Sequence, residues 1–125
     1  MKDYIVKVMG MDYKLKFCTS EEQPKFKSLS AAGLCEPYEH TLYINIEDMG
    51  DEDAFANELS YYKQVIRHEY MHAMFFECGL TDYMRDETLV EFLACIYPKM
   101  DIDLKRADLQ FGRALYPGEG TKEDT

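Results

Sequence analysis

The chain has 125 residues, 46% of them hydrophobic, a length and composition that fit one folded domain and exclude a disordered chain or several cores. Its formal net charge of -10 repels the phosphate backbone of nucleic acids, so nucleic acid is not an expected partner. The longest apolar run, Phe92 to Tyr97, is far shorter than the roughly 20 residues of a membrane-spanning helix, and the N-terminus resembles no signal peptide, so we expect a cytoplasmic protein without membrane contact.

The first part of the chain carries the alternating pattern that is typical of β-strands. Between Tyr4 and Phe17, apolar residues alternate on both sides of a break at Gly10, which predicts a hairpin. The polar segment from Ser20 to Ser30 predicts a loop or a short helix. Residues 31–35 and the alternating residues 42–46 predict a second strand pair joined by a turn. Together these strands predict a small antiparallel sheet.

The second part of the chain has the residue spacing of helices. Apolar residues recur with the helical period of about 3.6 from Ala54 to Cys78, and Gly79 is a typical C-terminal stop. This segment is the predicted central helix. A second helix is predicted from Asp86, as its N-cap, to Tyr97, where Pro98 closes it, and a third over Asp101 to Leu115.

These elements predict an α+β fold. We expect a single domain over residues 1–117 and a flexible acidic tail over residues 118–125, because the last residues are rich in Gly, Glu and Asp. The 4 cysteines lie far apart in the sequence and form no C-x-x-C pair. We therefore expect free thiols, and neither a disulfide scaffold nor a zinc ribbon.

The predicted central helix contains His68-Glu69-Tyr70-Met71-His72, which is an H-E-x-x-H pattern. Histidines at this spacing are separated by about 40° around a helix and by one turn along it, so both imidazoles can bind one metal ion. Glu69 is about 100° from His68, where its carboxylate can reach a metal-bound water and act as general base. The helix is apolar on nearly all sides at this turn, so the two histidines need polar partners, which a metal provides.

A catalytic zinc ion takes three protein ligands and leaves a fourth position open for water. Glu77 is the nearest acidic residue, but it lies about 140° around the same helix from His72 and is not expected to reach the metal. Glu87 and Glu91 share one face of the second predicted helix, which a short connection folds back beside the first. Either glutamate is a candidate third ligand.

The segment HEYMHAMFFECGLTDYMRDETLVEFLA resembles the short phage-encoded metallopeptidase-like proteins related to the ImmA/IrrE group of gluzincins. The resemblance covers residues 66–94, and the preceding HTLYINIE is similar to the strand before the active-site helix in that group. It implies a zincin-like helical core packed on the sheet, and one Zn²⁺ per chain bound by His68, His72 and Glu87. It also implies that Glu91 orients a ligand histidine. The group more often has Asp or Asn at the position of Glu91, and Glu91 stays open as the alternative ligand.

The resemblance predicts a zinc-dependent peptidase of phage or prophage origin that acts in the bacterial cytoplasm on a protein or peptide substrate. Zinc would polarise the scissile carbonyl, and Glu69 would take a proton from the metal-bound water and pass it to the leaving amine. An extended substrate would pair with residues 42–46, which we predict to be the sheet edge. The alternative is a catalytically silent zinc-binding protein of the same fold with an interaction or regulatory role, because 125 residues leave little room for a substrate-binding subdomain.

Overall fold

The computed structural model describes residues 3–47 and 55–115, which form strands and helices of an α+β fold, as predicted. The chain divides into two compact units, residues 1–94 and residues 95–125. Every candidate site residue lies in the first unit. The predicted acidic tail over residues 118–125 lies outside the described residues, and the single domain over residues 1–117 stays a prediction.

Four strands of the described chain form one sheet. They are β1 (Asp3–Val8), β2 (Met11–Cys18), β3 (Gly33–Glu36) and β4 (Thr41–Asn45). Their order across the sheet is β1-β2-β4-β3. β1 and β2 form the predicted hairpin, and β3 and β4 form the predicted second antiparallel pair. Gly10 in the first turn has a φ of +85°, a backbone conformation that favours glycine.

The prediction of a fully antiparallel sheet is wrong for one pair of strands, because β2 and β4 are parallel. The predicted edge over residues 42–46 is also wrong, since β4 lies between β2 and β3. Leu42 and Ile44 are fully buried in this central position. An alternating pattern identifies a strand and its buried face but not its neighbours. The sheet edge on this side is β3.

The described residues contain four helices: α1 (Lys25–Ser28), α2 (Phe55–Glu77), α3 (Thr81–Met84) and α4 (Glu87–Leu115). α1 provides the short helix within the polar segment. α2 matches the predicted central helix to within one residue at each end, and Gly79 follows it with a φ of +77°. α3 occupies part of the connection that was predicted as a loop. No helix in residues 3–47 and 55–115 is both long enough and apolar enough to cross a membrane.

α4 corrects the prediction of two separate helices, because it continues through Pro98 to Leu115. A proline inside a helix cannot donate to the carbonyl four residues earlier, and its ring crowds that carbonyl. A single proline can kink a helix without ending it. The prediction that the helix ends at Pro98 is therefore wrong. The helix is described as far as Leu115, so the end predicted there stays a prediction.

Two clusters of buried apolar residues hold α2 in place. The first packs α2 against the sheet and contains Val8, Tyr13, Leu42 and Ala73. The second packs α2 against the start of α4 and contains Met71, Phe75, Val90 and Ala94. Because the two clusters use different sides of α2, they determine how the helix is rotated about its axis. That rotation determines where the side chains of His68 and His72 point.

Asp86 caps the N-terminus of α4, as predicted, because its carboxylate accepts a hydrogen bond from the Leu89 N–H at 3.0 Å. We expect Asp86→Ala to lower the free energy of unfolding by about 1 kcal/mol, because it removes this acceptor. Asp86→Asn keeps a capping oxygen and should lower it less. Urea unfolding followed by circular dichroism measures both changes. Equal stability of Asp86→Ala and the wild type would contradict a role for the cap.

Candidate metal centre

His68 and His72 lie on consecutive turns of α2, and their Nε2 atoms are 3.3 Å apart. The His68 side chain is 21% exposed and the His72 side chain 10% exposed. The structure thus brings together the two imidazoles of the H-E-x-x-H pattern, at the surface of the first unit but largely withdrawn from water.

Glu87 brings a carboxylate to the same point. It is the first residue of α4. The connection from α2 to α4 contains α3. Glu87 Oε1 lies 3.1 Å from His72 Nε2, and Glu87 Oε2 lies 2.8 Å from His68 Nε2. We call His68, His72 and Glu87 the ligand cluster. The Glu87 side chain is 69% exposed, so the ligand cluster is reached from solvent on the side of Glu87.

The Nδ1 atoms of both histidines have partners outside the ligand cluster. His72 Nδ1 donates to the backbone carbonyl of Met84 at 2.5 Å, and a carbonyl can only accept. His68 Nδ1 lies 3.1 Å from Glu91 Oε1, which accepts when the carboxyl group is ionised. A neutral imidazole that is protonated on Nδ1 keeps a lone pair on Nε2. In their neutral forms, both rings therefore turn the lone pair of Nε2 toward the ligand cluster.

The ligand cluster has ligand types and a spacing that could hold a metal ion. Two imidazole nitrogens and a carboxylate are a donor set that zinc accepts. In a tetrahedral site with bonds of about 2.0 to 2.1 Å, neighbouring ligand atoms are about 3.3 Å apart. Here the two Nε2 atoms are 3.3 Å apart, and each lies 2.8 or 3.1 Å from a different carboxylate oxygen of Glu87. With one atom taken from each residue, the three ligand atoms lie within 4.8 Å of one another. Partners on Nδ1, such as Glu91 and the Met84 carbonyl, are the kind that metal-binding histidines have.

The acidic surroundings change the ionisation of two neighbouring groups. Burial disfavours the charged form of His68, but its hydrogen bond with Glu91, the charge of Glu69 and its contact with Glu87 together raise its pKa. Burial raises the pKa of Glu69 to about 7, which the charge of His68 opposes and the charges of Glu87 and Glu91 reinforce. Three carboxyl groups around two imidazoles attract a cation, whether a proton or a metal ion.

Glu69 lies beneath the sheet edge, with 7% of its surface exposed. A Cβ atom added to Gly33 of β3 would lie 2.9 Å from Glu69 Cγ, 3.0 Å from Glu69 Oε2 and 2.8 Å from Val65 Cγ1. These distances are too short for carbon, so only a glycine lets β3 come this close to α2. Gly33 therefore determines the space in which the Glu69 carboxylate sits. The sequence analysis did not identify it, because no local pattern marks a glycine that contacts a distant helix.

A cleft of about 540 Å³ opens over the ligand cluster. The cleft is lined on its polar side by the ligand cluster, Glu69 and Glu91. Apolar side chains, among them Leu29, Leu34 and Val65, line another side. All five residues from 31 to 35 border the cleft, so the edge strand β3 runs along it.

Glu77, which helix geometry excluded as a ligand, lies elsewhere. Its Oε2 accepts a hydrogen bond from the Tyr13 hydroxyl at 2.6 Å and lies 3.9 Å from His40 Nε2. Burial, reinforced by this contact, raises the pKa of Tyr13. The pair joins the end of α2 to β2. Of the candidate residues, the structure thus brings His68, Glu69, His72, Glu87 and Glu91 to one cleft.

Comparisons of the chain with protein-family models, with curated proteins and with solved structures found no match. The family to which the chain belongs is therefore not shown.

We expect Gly33→Ala to lower the free energy of unfolding by about 1 to 3 kcal/mol, because the added methyl group overpacks the contact between β3 and α2. Gly112→Ala in α4 is the matched control, since its added Cβ would meet no heavy atom within 4 Å. That substitution should raise the free energy of unfolding by about 0.5 to 1 kcal/mol. Chemical denaturation measures both. A Gly33→Ala variant as stable as the wild type would show that β3 is not held against Glu69.

Proposed function

We propose that the chain is a zinc-dependent peptidase, with His68, His72 and Glu87 as the metal ligands and Glu69 as the general base. The observation that carries this proposal is the convergence of two imidazole Nε2 atoms, 3.3 Å apart, with a carboxylate whose oxygens lie 2.8 and 3.1 Å from them, beside a buried glutamate. The H-E-x-x-H pattern on one helix, completed by a carboxylate from a second helix, is suited to metal-assisted hydrolysis.

The contacts favour Glu87 over Glu91 as the third ligand. Glu87 contacts both Nε2 atoms, whereas Glu91 contacts the Nδ1 atom of His68. A group on Nδ1 orients the ring, and a group beside Nε2 shares the metal. This division of roles is the one that the resemblance to the ImmA/IrrE group implies, and it supports a zincin-like core in which α2 and α4 supply the ligands.

Zinc, when bound here, would polarise the scissile carbonyl and acidify water. Glu69 takes a proton from the attacking water and returns it to the leaving nitrogen, acting first as base and then as acid. Met84 and Glu91 keep the imidazoles of His72 and His68 from turning during these steps. Gly33 keeps room for the Glu69 carboxylate under the sheet edge.

The position of β3 favours a peptide as the substrate. β3 pairs with β4 on one side, and its other side is not paired with a strand of the described chain. An extended peptide can add to such an edge through backbone hydrogen bonds. Because residues 31–35 border the cleft, a peptide added there would pass directly over the ligand cluster. We place this activity in the cytoplasm of a bacterial host and propose a phage or prophage origin.

We expect the purified protein to bind about one Zn²⁺ per chain, as a single three-ligand site requires, measured by mass spectrometry of metal content after dialysis. His72→Ala and Glu87→Ala should lose the metal because each removes a ligand. Glu91→Ala should keep it, with a Kd raised about 10- to 100-fold, because the orientation of His68 is lost.

Cys78→Ser and Cys95→Ser are the controls for zinc binding, since both thiols are exposed and thiols also bind zinc. Neither substitution should change the stoichiometry. Loss of zinc in Glu91→Ala but not in Glu87→Ala would reverse the two assignments.

We expect Glu69→Gln to keep zinc and to lower peptide hydrolysis at least about 100-fold, because the amide cannot accept the proton of water. The assay incubates the zinc-loaded protein with unfolded casein and detects new peptide ends by mass spectrometry. Glu77→Gln, which changes the same group on the same helix away from the cleft, is the control. Cleavage that survives in Glu69→Gln would contradict the role of the base. Zinc binding without any cleavage would favour the silent, regulatory alternative.

A further inference from the structure

We propose that Gln64 and Arg67 are positioning residues of the metal centre, which hold His68 in its metal-binding form by acting through Glu91. The inference rests on the proposed zinc site and adds to it two residues that act on His68 only through Glu91. Both residues belong to α2 and precede His68 by one turn or less.

A continuous path of hydrogen bonds joins these residues to the ligand cluster. Arg67 Nη2 donates to Gln64 Oε1 at 3.0 Å. Gln64 Nε2 donates to Glu91 Oε1 at 3.0 Å. The same oxygen of Glu91 lies 3.1 Å from His68 Nδ1. We call Arg67, Gln64 and Glu91 the relay.

The donors and acceptors of the relay can be arranged in one way only. A guanidinium group only donates, so the atom of Gln64 that faces Arg67 must be its carbonyl oxygen. The amide nitrogen of Gln64 is then turned toward Glu91 and donates to it. An ionised Glu91 only accepts, so it takes a proton from His68 Nδ1. In the neutral ring, the Nε2 atom of His68 is then left with its lone pair toward His72 and Glu87.

The burial of Arg67 is consistent with this role. Its Nε atom is buried and has no hydrogen-bond partner among the described residues. An unsatisfied buried donor lowers stability, so the position of Arg67 is not explained by stability at Nε. The hydrogen bond from Nη2 to Gln64 gives the side chain a role, because it determines which way the amide faces.

The sign of the effect on metal affinity separates the relay from simple electrostatics. A positive charge near a metal site repels the cation, so removing Arg67 would tighten zinc binding if only its charge mattered. The relay predicts the opposite, because His68 would lose its preferred tautomer and orientation. Lys63 provides the comparison, since it is an exposed cation on the same helix and is not part of the hydrogen-bonded path of the relay.

The test measures the Kd for Zn²⁺ by competition with a chelating dye, using the full chain. Gln64→Met and Arg67→Met should each raise the Kd about 3- to 10-fold, a smaller loss than removal of a direct partner causes. Lys63→Met should leave the Kd unchanged or lower it. In a Glu91→Ala background, Gln64→Met should have no further effect, because the relay acts through Glu91.

The outcomes distinguish failure of the relay from failure of the zinc site. If the wild type binds no Zn²⁺, the proposed function and the relay both fail. If the wild type binds Zn²⁺ and Gln64→Met binds it equally tightly, only the relay is overturned. It is also overturned if Arg67→Met binds more tightly, or if Gln64→Met costs the same factor in the Glu91→Ala background. Circular dichroism checks that each variant is folded, and Arg67→Met serves as the test should Gln64→Met not fold.

Discussion

The acceptors on the Nδ1 atoms of His68 and His72 are the constraint on which the rest of the site depends. When the rings are neutral, the Met84 carbonyl and Glu91 place their protons on Nδ1, so that both Nε2 lone pairs face the carboxylate of Glu87. Acceptors that converge in this way attract a cation, which is a proton on a histidine or, in the proposed site, a metal ion.

The fold maintains that constraint through contacts on several sides of α2. Apolar packing against the sheet and against α4 determines the rotation of α2, and the turn at Gly79 leads the chain back toward the cleft. Met84 and Glu87 lie on either side of the short connection into α4, so this connection places both the carbonyl that contacts His72 and the proposed third ligand. On the opposite side, Gly33 lets the sheet edge approach Glu69.

The sequence predicts those parts of the site that one helix carries. The spacing of His68 and His72 is a property of α2 alone, and the period of apolar residues locates that helix to within one residue at each end. The sequence does not predict whether Glu87 or Glu91 is the candidate ligand, because this depends on which ring nitrogen each carboxylate contacts in the folded chain. Gly33 and the Met84 carbonyl act through tertiary contacts and have no sequence signal. The central position of β4 and the continuity of α4 through proline were missed for the same reason.

X-ray absorption at the zinc edge tests the central claim most directly, because it reports the atoms bound to the metal in the protein as it exists. We expect two imidazole nitrogens and additional oxygen ligands at about 2.0 to 2.2 Å, with no sulfur. Replacing Glu87 by Ala should remove this signal. A zinc–sulfur distance of about 2.3 Å, or the absence of bound zinc, would contradict a metal centre built from His68, His72 and Glu87.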